Sequence, residues 1–151
     1  MKTILLLEDE PGIAEMLVII LELERYAVLA AANGLEALST LKQNQADLIL
    51  TDVMMPGMGG LEFCRMVRAD PAHADIPIVF QTSVEEWAVR EHFEDYDGFF
   101  LKPYNLTEML ARLEVLAASG RDLSSRPSSS GAEGPVADER SGFMPPDMPA
   151  A

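Results

Sequence analysis

The sequence predicts an α/β fold: a doubly wound, five-stranded parallel sheet in the order 2-1-3-4-5, covered by five helices. Two observations carry this. Short apolar runs of strand length alternate with longer stretches of helical spacing over residues 1–120, the pattern of a parallel sheet buried on both faces. The polar residues at the run ends are also ordered. Glu8-Asp9, Asp52, Thr82 and Lys102 each stand where an apolar run stops, and in such sheets ligands bind beyond the carboxyl ends of the strands.

Residues 3–7 are the first strand by length. From Pro11, the residues Ile13, Met16, Leu17, Ile20 and Leu21 recur at helical spacing, with proline near the helix start. Tyr26–Ala31 is the second strand. Asn33-Gly34 opens a helix carrying Leu35, Leu38 and Leu41, and Asp47–Thr51 is the third strand. Pro56-Gly57-Met58-Gly59-Gly60 is a loop by its glycines. A helix with Leu61, Cys64 and Val67 on one side follows it. Ile76–Gln81 is the fourth strand, with Pro77 near its beginning. Val84–Phe93 is expected to be helical and Gly98–Leu101 to be the fifth strand. Leu106, Met109, Leu110, Leu113 and Leu116 then mark the clearest amphipathic helix. Crossovers are expected to be right-handed.

Composition breaks near Gly120. Residues 121–151 hold six Ser, five Pro and three Gly, with sparse apolar anchors, so the expected organisation is a folded domain at 1–120 and a disordered tail at 121–151. No second folded domain is expected after residue 120. Lys plus Arg number 11 against 25 for Asp plus Glu, a net charge of −14. That argues against direct nucleic-acid binding, where a basic stripe is expected, and disfavours docking on anionic membranes. Cys64 is the only cysteine, which excludes an intramolecular disulfide and a cysteine-based zinc cluster. Met1–Leu7 reaches Glu8 too early for a signal peptide, and the expected setting is cytoplasmic.

With strands 1 and 3 adjacent, Glu8, Asp9 and Asp52 converge, and Thr82 and Lys102 arrive from the other side. Three carboxylates packed together repel one another and call for a cation. Hard oxygens without Cys or His favour Mg²⁺, which keeps several waters and usually binds phosphate oxygens too. A carboxylate there can attack phosphorus to give an aspartyl phosphate. Lys102 would neutralise a phosphoryl oxygen, and the Thr82 hydroxyl would donate to another. The parts describe a site that accepts a phosphoryl group.

At residues 5–11 (Leu-Leu-Leu-Glu-Asp-Glu-Pro), 51–60 (Thr-Asp-Val-Met-Met-Pro-Gly-Met-Gly-Gly), 77–83 (Pro-Ile-Val-Phe-Gln-Thr-Ser) and 99–104 (Phe-Phe-Leu-Lys-Pro-Tyr) the sequence resembles the receiver domain of two-component response regulators. Four motifs in order, each at an expected strand end, make the resemblance specific. It implies the flavodoxin-like receiver fold, and a regulator that takes a phosphoryl group from a sensor histidine kinase or a phosphotransfer protein. Such a domain promotes only its own phosphorylation and dephosphorylation. By the resemblance Asp52 is the phosphoacceptor, and Asp9 ligates Mg²⁺ directly while Glu8 acts through metal-bound water. Met54 contributes its backbone carbonyl to the metal. Thr82 is the switch hydroxyl, Lys102 the phosphoryl-binding lysine, and Phe99 the aromatic whose rotamer reports activation. The residues two positions after the phosphoacceptor and after the switch threonine, here Met54 and Val84, flank the path of attacking water. The family's Lys-Pro bond is commonly cis, which suits Lys102-Pro103, an isomer the sequence does not fix. Output is expected through the face made by helix 4, strand 5 and helix 5, to a downstream effector protein.

The sequence departs from the family in three places. The acidic pair is Glu-Asp where Asp-Asp is commoner. Glu94-Asp95-Tyr96-Asp97-Gly98 replaces the frequent Gly-Ala-Asp-Asp before strand 5, which puts the turn there in doubt. Glu108 and Arg112 resemble positions that form dimer salt bridges in the transcription-factor subfamily, but Gly98 stands where one acidic partner belongs, leaving a weak homodimer as a suggestion only. Thr82 has a rival role as a helix N-cap, and Trp87 fits either simple packing or the partner face. His73 and His92 are expected at the surface, Cys64 as a small core residue, and Met54, Met55 and Met58 in loop and core. Two other functions compete. A phosphatase of the haloacid dehalogenase type wants a second acid two residues after its nucleophile, where Met54 stands. A degenerate receiver that only binds partners would not need the intact set of Glu8, Asp9, Asp52, Thr82 and Lys102.

Overall fold

Five strands form one parallel sheet in the order β2-β1-β3-β4-β5, as the alternating pattern predicts. The structure, a computed structural model, describes residues 1–121; the rest of the expected tail lies outside the described residues. The order along the chain is β1 (Thr3–Leu7), α1 (Pro11–Leu23), β2 (Ala27–Ala31), α2 (Gly34–Gln43), β3 (Leu48–Thr51), α3 (Gly60–Ala69), β4 (Ile78–Thr82), α4 (Glu86–Arg90), β5 (Gly98–Leu101) and α5 (Leu106–Ser119).

Alternation along the central strands divides the core in two. Leu5, Leu7, Ile49, Ile78 and Phe80 face α2, α3 and α4, where they meet Leu41, Leu61, Phe63 and Val89. Ile4, Leu6, Leu48, Leu50 and Val79 face α1 and α5, where they meet Leu17, Leu21, Met109 and Leu113. Each such fully buried side chain contributes about 1.5–3 kcal/mol by leaving water, which is why the central strands read as unbroken apolar runs. Local signals start several helices. Pro11 occupies the first turn of α1. Asn33 accepts from Glu36 N at the start of α2 while Glu36 accepts from Ala32 N, a reciprocal cap. Asn105 caps α5 through Glu108 N.

Four elements are shorter than the periodicity predicts. β3 starts at Leu48 rather than Asp47, and β4 runs Ile78–Thr82 rather than Ile76–Gln81, ending one residue further on because Thr82 still pairs with Leu101 of β5. β2 starts at Ala27 because Tyr26 is used to close α1. Arg25 takes φ +74°, Arg25 N donates to Glu22 O and Tyr26 N to Leu21 O, which is a Schellman ending with arginine in the place glycine usually fills. The helix expected over Val84–Phe93 is regular only at Glu86–Arg90. Val84, Ala88, Val89 and Phe93 still reach the core while Trp87 is exposed, but Phe93 does so from beyond the turn that ends the helix, edge-on to Phe80 with centroids 6.1 Å apart. Packing on Phe80, rather than continued helix, sets the chain path there.

Candidate functional site

Register brings Glu8, Asp52 and Lys102 of the expected site together. Leu7 pairs with Thr51 across β1 and β3, so the next residues, Glu8 and Asp52, leave the sheet side by side. Thr82 pairs with Leu101 across β4 and β5, and Lys102 follows. The backbone ladder continues one step further: Asp52 N donates to Leu7 O, Glu8 N to Ala31 O and Lys102 N to Thr82 O. Gly60 closes the floor behind Asp52. A Cβ at this position would lie 2.1 Å from the Asp52 carbonyl oxygen, so only glycine permits the approach of α3.

Lys102 Nζ donates to Asp52 Oδ2 at 2.9 Å and stands 3.5 Å from Glu8 Oε1. The other Asp52 oxygen accepts from Val53 N at 2.6 Å and Met54 N at 3.2 Å. Glu8 and Asp52 are both buried. Burial alone would push the Lys102 ammonium down; the hydrogen bond and charge of Asp52, with the charge of Glu8 behind it, outweigh that and hold it above its ordinary value. It is therefore charged at neutral pH. Lys102-Pro103 is cis.

The remaining expected residues fall as follows. Asp9 is half-buried beside Glu8. Met54 is 41% exposed at the rim. Thr82 is fully buried, and its hydroxyl accepts from Val84 N at 3.3 Å. It does not cap α4, which starts after Glu85. Phe99 is half-buried, with its ring 6.2 Å from Phe80 and 6.0 Å from Tyr96. Among the described residues no three His, Cys, Asp or Glu side chains are gathered as a ready-made metal cage, so the expected packing of Glu8, Asp9 and Asp52 as three carboxylates is not seen; Lys102 contacts both Asp52 and Glu8 instead. Cys64 is in the core, and burial pushes its thiol up. His73 and His92 are half-buried rather than on the surface: His73 pairs with Asp70 at 3.1 Å, and the buried His92 Nε2 has no hydrogen-bond partner among the described residues.

Sequence reasoning missed Gln81. This residue is fully buried, its Nε2 donates to Glu8 Oε1 at 2.8 Å, and its Oε1 accepts from Tyr104 OH at 3.4 Å. Strand alternation was the available signal. Gln81 shares the face of Val79, as Glu8 shares that of Leu6, Asp52 that of Leu50 and Lys102 that of Phe100. The doubted turn before β5 also has an owner. Asp97 accepts from Ile78 N at 2.9 Å and pairs with Arg68 at 3.2 Å. Arg112, expected at a dimer contact, donates to the Asp97 carbonyl from Nε at 3.0 Å and Nη2 at 2.8 Å.

Among the described residues no helix is long and apolar enough to cross a membrane. Known proteins resemble the chain throughout this unit. PhoB of Pseudomonas aeruginosa, a phosphate regulon transcriptional regulatory protein, is 35% identical over 117 residues, 76% of this chain and 51% of its own. RpaA of Synechocystis sp., a DNA-binding dual master transcriptional regulator, is 32% identical over 120 residues, 77% of this chain and 49% of its own. The chain thus spans about half the length of these curated relatives. Among solved structures, the response regulator TrrA of Thermotoga maritima, in complex with Mg²⁺ and BeF, superposes with TM-score 0.68 at 32% identity. That match covers 77% of this chain and 99% of TrrA. The chemotaxis response regulator CheY4 of Vibrio cholerae gives 0.67 at 30% identity over 77% and 98%. The family model described as the response regulator receiver domain matches residues 4–114, from the first buried residue of β1 to within five residues of the end of α5, so the chain belongs to the response regulator receiver domain family.

Proposed function

We propose that this receiver accepts a phosphoryl group on Asp52, from a histidine kinase or a phosphotransfer protein in the cytoplasm, and signals through phosphorylation-dependent binding or onward transfer. The observation that carries the reading is Lys102 Nζ at 2.9 Å from Asp52 Oδ2, at the crevice where β1 and β3 end. The Oδ2 oxygen attacks phosphorus as the donor's bond to it breaks, leaving an aspartyl phosphate. Asp52 Oδ1 is meanwhile held by two backbone N–H groups, which orient the carboxylate. Lys102 then neutralises a phosphoryl oxygen, and Thr82 can turn its hydroxyl onto another.

The donor chemistry fits Mg²⁺. Glu8, Asp9, Asp52 and the Met54 carbonyl are all hard oxygen ligands, and Mg²⁺ is usually bound by one or two carboxylates while keeping several waters. Asp9, Asp52 and Met54 O would hold it directly, with Glu8 reaching it through water. When bound, Mg²⁺ supplies the positive charge that lets phosphoryl oxygens approach these acids.

The α4–β5–α5 face supports the output side of the reading: Trp87 of α4 is 63% exposed, Leu101 of β5 and Leu106 of α5 are exposed as well, and Phe99 of β5 is half-buried. The test is intact mass after incubation with acetyl phosphate and Mg²⁺. The wild type gains one phosphoryl group and Asp52→Asn gains none; a full shift in Asp52→Asn rejects the assignment.

A further inference from the structure

The proposed chemistry uses Glu8, Asp52 and Lys102 and leaves Gln81 unexplained. A fully buried amide in the middle of a sheet is unfavourable unless its groups are paired, and the runs around it, Ile78-Val79-Phe80 and Phe99-Phe100-Leu101, are otherwise apolar. Its pairing is specific. Tyr104 OH donates to Gln81 Oε1 at 3.4 Å, which fixes the amide so that Nε2 faces Glu8 Oε1 at 2.8 Å. Reversed, the amide would set its carbonyl against a carboxylate.

This bond bears on a competition. One ammonium, Lys102, lies among two buried carboxylates, 2.9 Å from Asp52 Oδ2 and 3.5 Å from Glu8 Oε1. The Glu8 oxygen nearer Lys102 is the one that takes the Gln81 N–H. Among the described residues the second Glu8 oxygen has only a long contact with Glu10 N, at 3.3 Å. Without Gln81, Glu8 would be a buried anion with Lys102 as its chief donor, and the ammonium would be drawn toward it. Gln81 satisfies Glu8 without adding charge, so the cation stays with Asp52.

We infer that Gln81, oriented by Tyr104, is a positioning residue that holds Glu8 and thereby keeps Lys102 on the acceptor Asp52. The inference rests on the reading of Asp52 as phosphoacceptor. Gln81 touches neither the phosphoryl group nor a metal; it acts through Glu8.

The test uses the full chain and the phosphoryl mimic beryllofluoride, read from the fluorescence of Trp87, the single tryptophan. Gln81→Met keeps the length and removes both polar atoms. It is expected to bind beryllofluoride about tenfold more weakly and to react with acetyl phosphate about tenfold more slowly at saturating Mg²⁺, since a misplaced charge at the reacting centre costs on that scale. Mg²⁺ affinity, from isothermal titration, should stay within about twofold, because Asp9 and Asp52 are unchanged. Tyr104→Phe should move both quantities the same way by about threefold, and it keeps the inference testable if Gln81→Met folds poorly. In a Glu8→Gln background the Gln81→Met effect should vanish, since the competing charge is gone; a purely structural role would persist there. Wild-type binding with unchanged variants overturns this inference alone. A wild type that binds no beryllofluoride overturns the receiver reading and this inference with it.

Discussion

Arg121 Nε lies 2.9 Å from Asp97 Oδ1, so the second residue after the last helix is tied to the residue before the last strand. Gly120, at φ +71°, turns the chain back and lets the guanidinium reach both Asp97 and Asp95. Arg121 was expected at the head of the tail; its side chain is instead only 6% exposed, and that of Asp97 only 2%.

Arg121→Ala should therefore lower stability by about 2 kcal/mol, the scale for breaking a largely buried ion pair that keeps other partners. Asp97→Ala should cost more, because it also strands Ile78 N–H and Arg68. Urea unfolding of the two variants checks the order. A chain ending at residue 120 should match Arg121→Ala, and equal stability of both with the wild type would mean the pair holds nothing.

Lys102 predicts the opposite kind of defect, one that a metal repairs. Lys102→Ala removes the ammonium from two buried carboxylates, and about 2 kcal/mol of stability should go with it, discounted because the lysine is partly exposed. On the proposed reading Mg²⁺ held at the folded site would replace the missing charge, so millimolar Mg²⁺ should raise the melting temperature of Lys102→Ala more than that of the wild type. Equal Mg²⁺ responses would contradict this account.

Alkaline titration tests the packing of the tyrosines. Burial pushes all three phenols above their ordinary value, with Glu86, which accepts the Tyr96 hydroxyl, adding to the shift at Tyr96. The sign follows from proton counting: the folded state keeps protons that the unfolded chain gives up near pH 10. Stability from these groups is complete below that pH and is lost as pH rises toward the folded values. Tyrosinate absorbance should appear together with loss of helical circular dichroism. Ionisation of a still-folded protein at an ordinary phenol value would reject the burial.

The parts of this molecule legible in its sequence are those governed by local periodicity and by strand ends. Apolar runs mark five strands, and the polar residues at their ends are Glu8, Asp9, Asp52, Thr82 and Lys102. What escaped depends on which residues meet across the sheet. Gln81 looks like an ordinary strand residue until the parallel register sets it beside Glu8. Asp97 looks like turn acid until Arg68, Arg112 and Arg121, far apart in sequence, converge on it. The extent of α4 was overestimated because Val84, Ala88, Val89 and Phe93 keep helical spacing even where turns, packed on Phe80, deliver them to the core.

If Asp52 carries a phosphoryl group as proposed, its lifetime depends on two side chains, Met54 at the rim and Val84 packed against the core. Hydrolysis needs a water in line with the bond between Asp52 and phosphorus. Met54 is 41% exposed beside Asp52, and Val84 follows Thr82 by two residues with its side chain packed against the α3 and α4 side of the core. Neither can orient a water by hydrogen bonding, and Met54 has the bulk to obstruct its approach. Positioning the nucleophile is a large part of phosphoryl-transfer catalysis, so decay should be slow. Replacing both, Met54→Asn with Val84→Glu, supplies polar groups at the same two positions and should speed decay by about tenfold. The measurement is loss of phosphoprotein mass after the donor is removed, with Mg²⁺ held constant. Met54→Asn alone should give the larger share, since its side chain is the more exposed, while Val84→Glu must first leave its packing against the core. If the double variant decays at the wild-type rate, water access at these two positions does not limit hydrolysis.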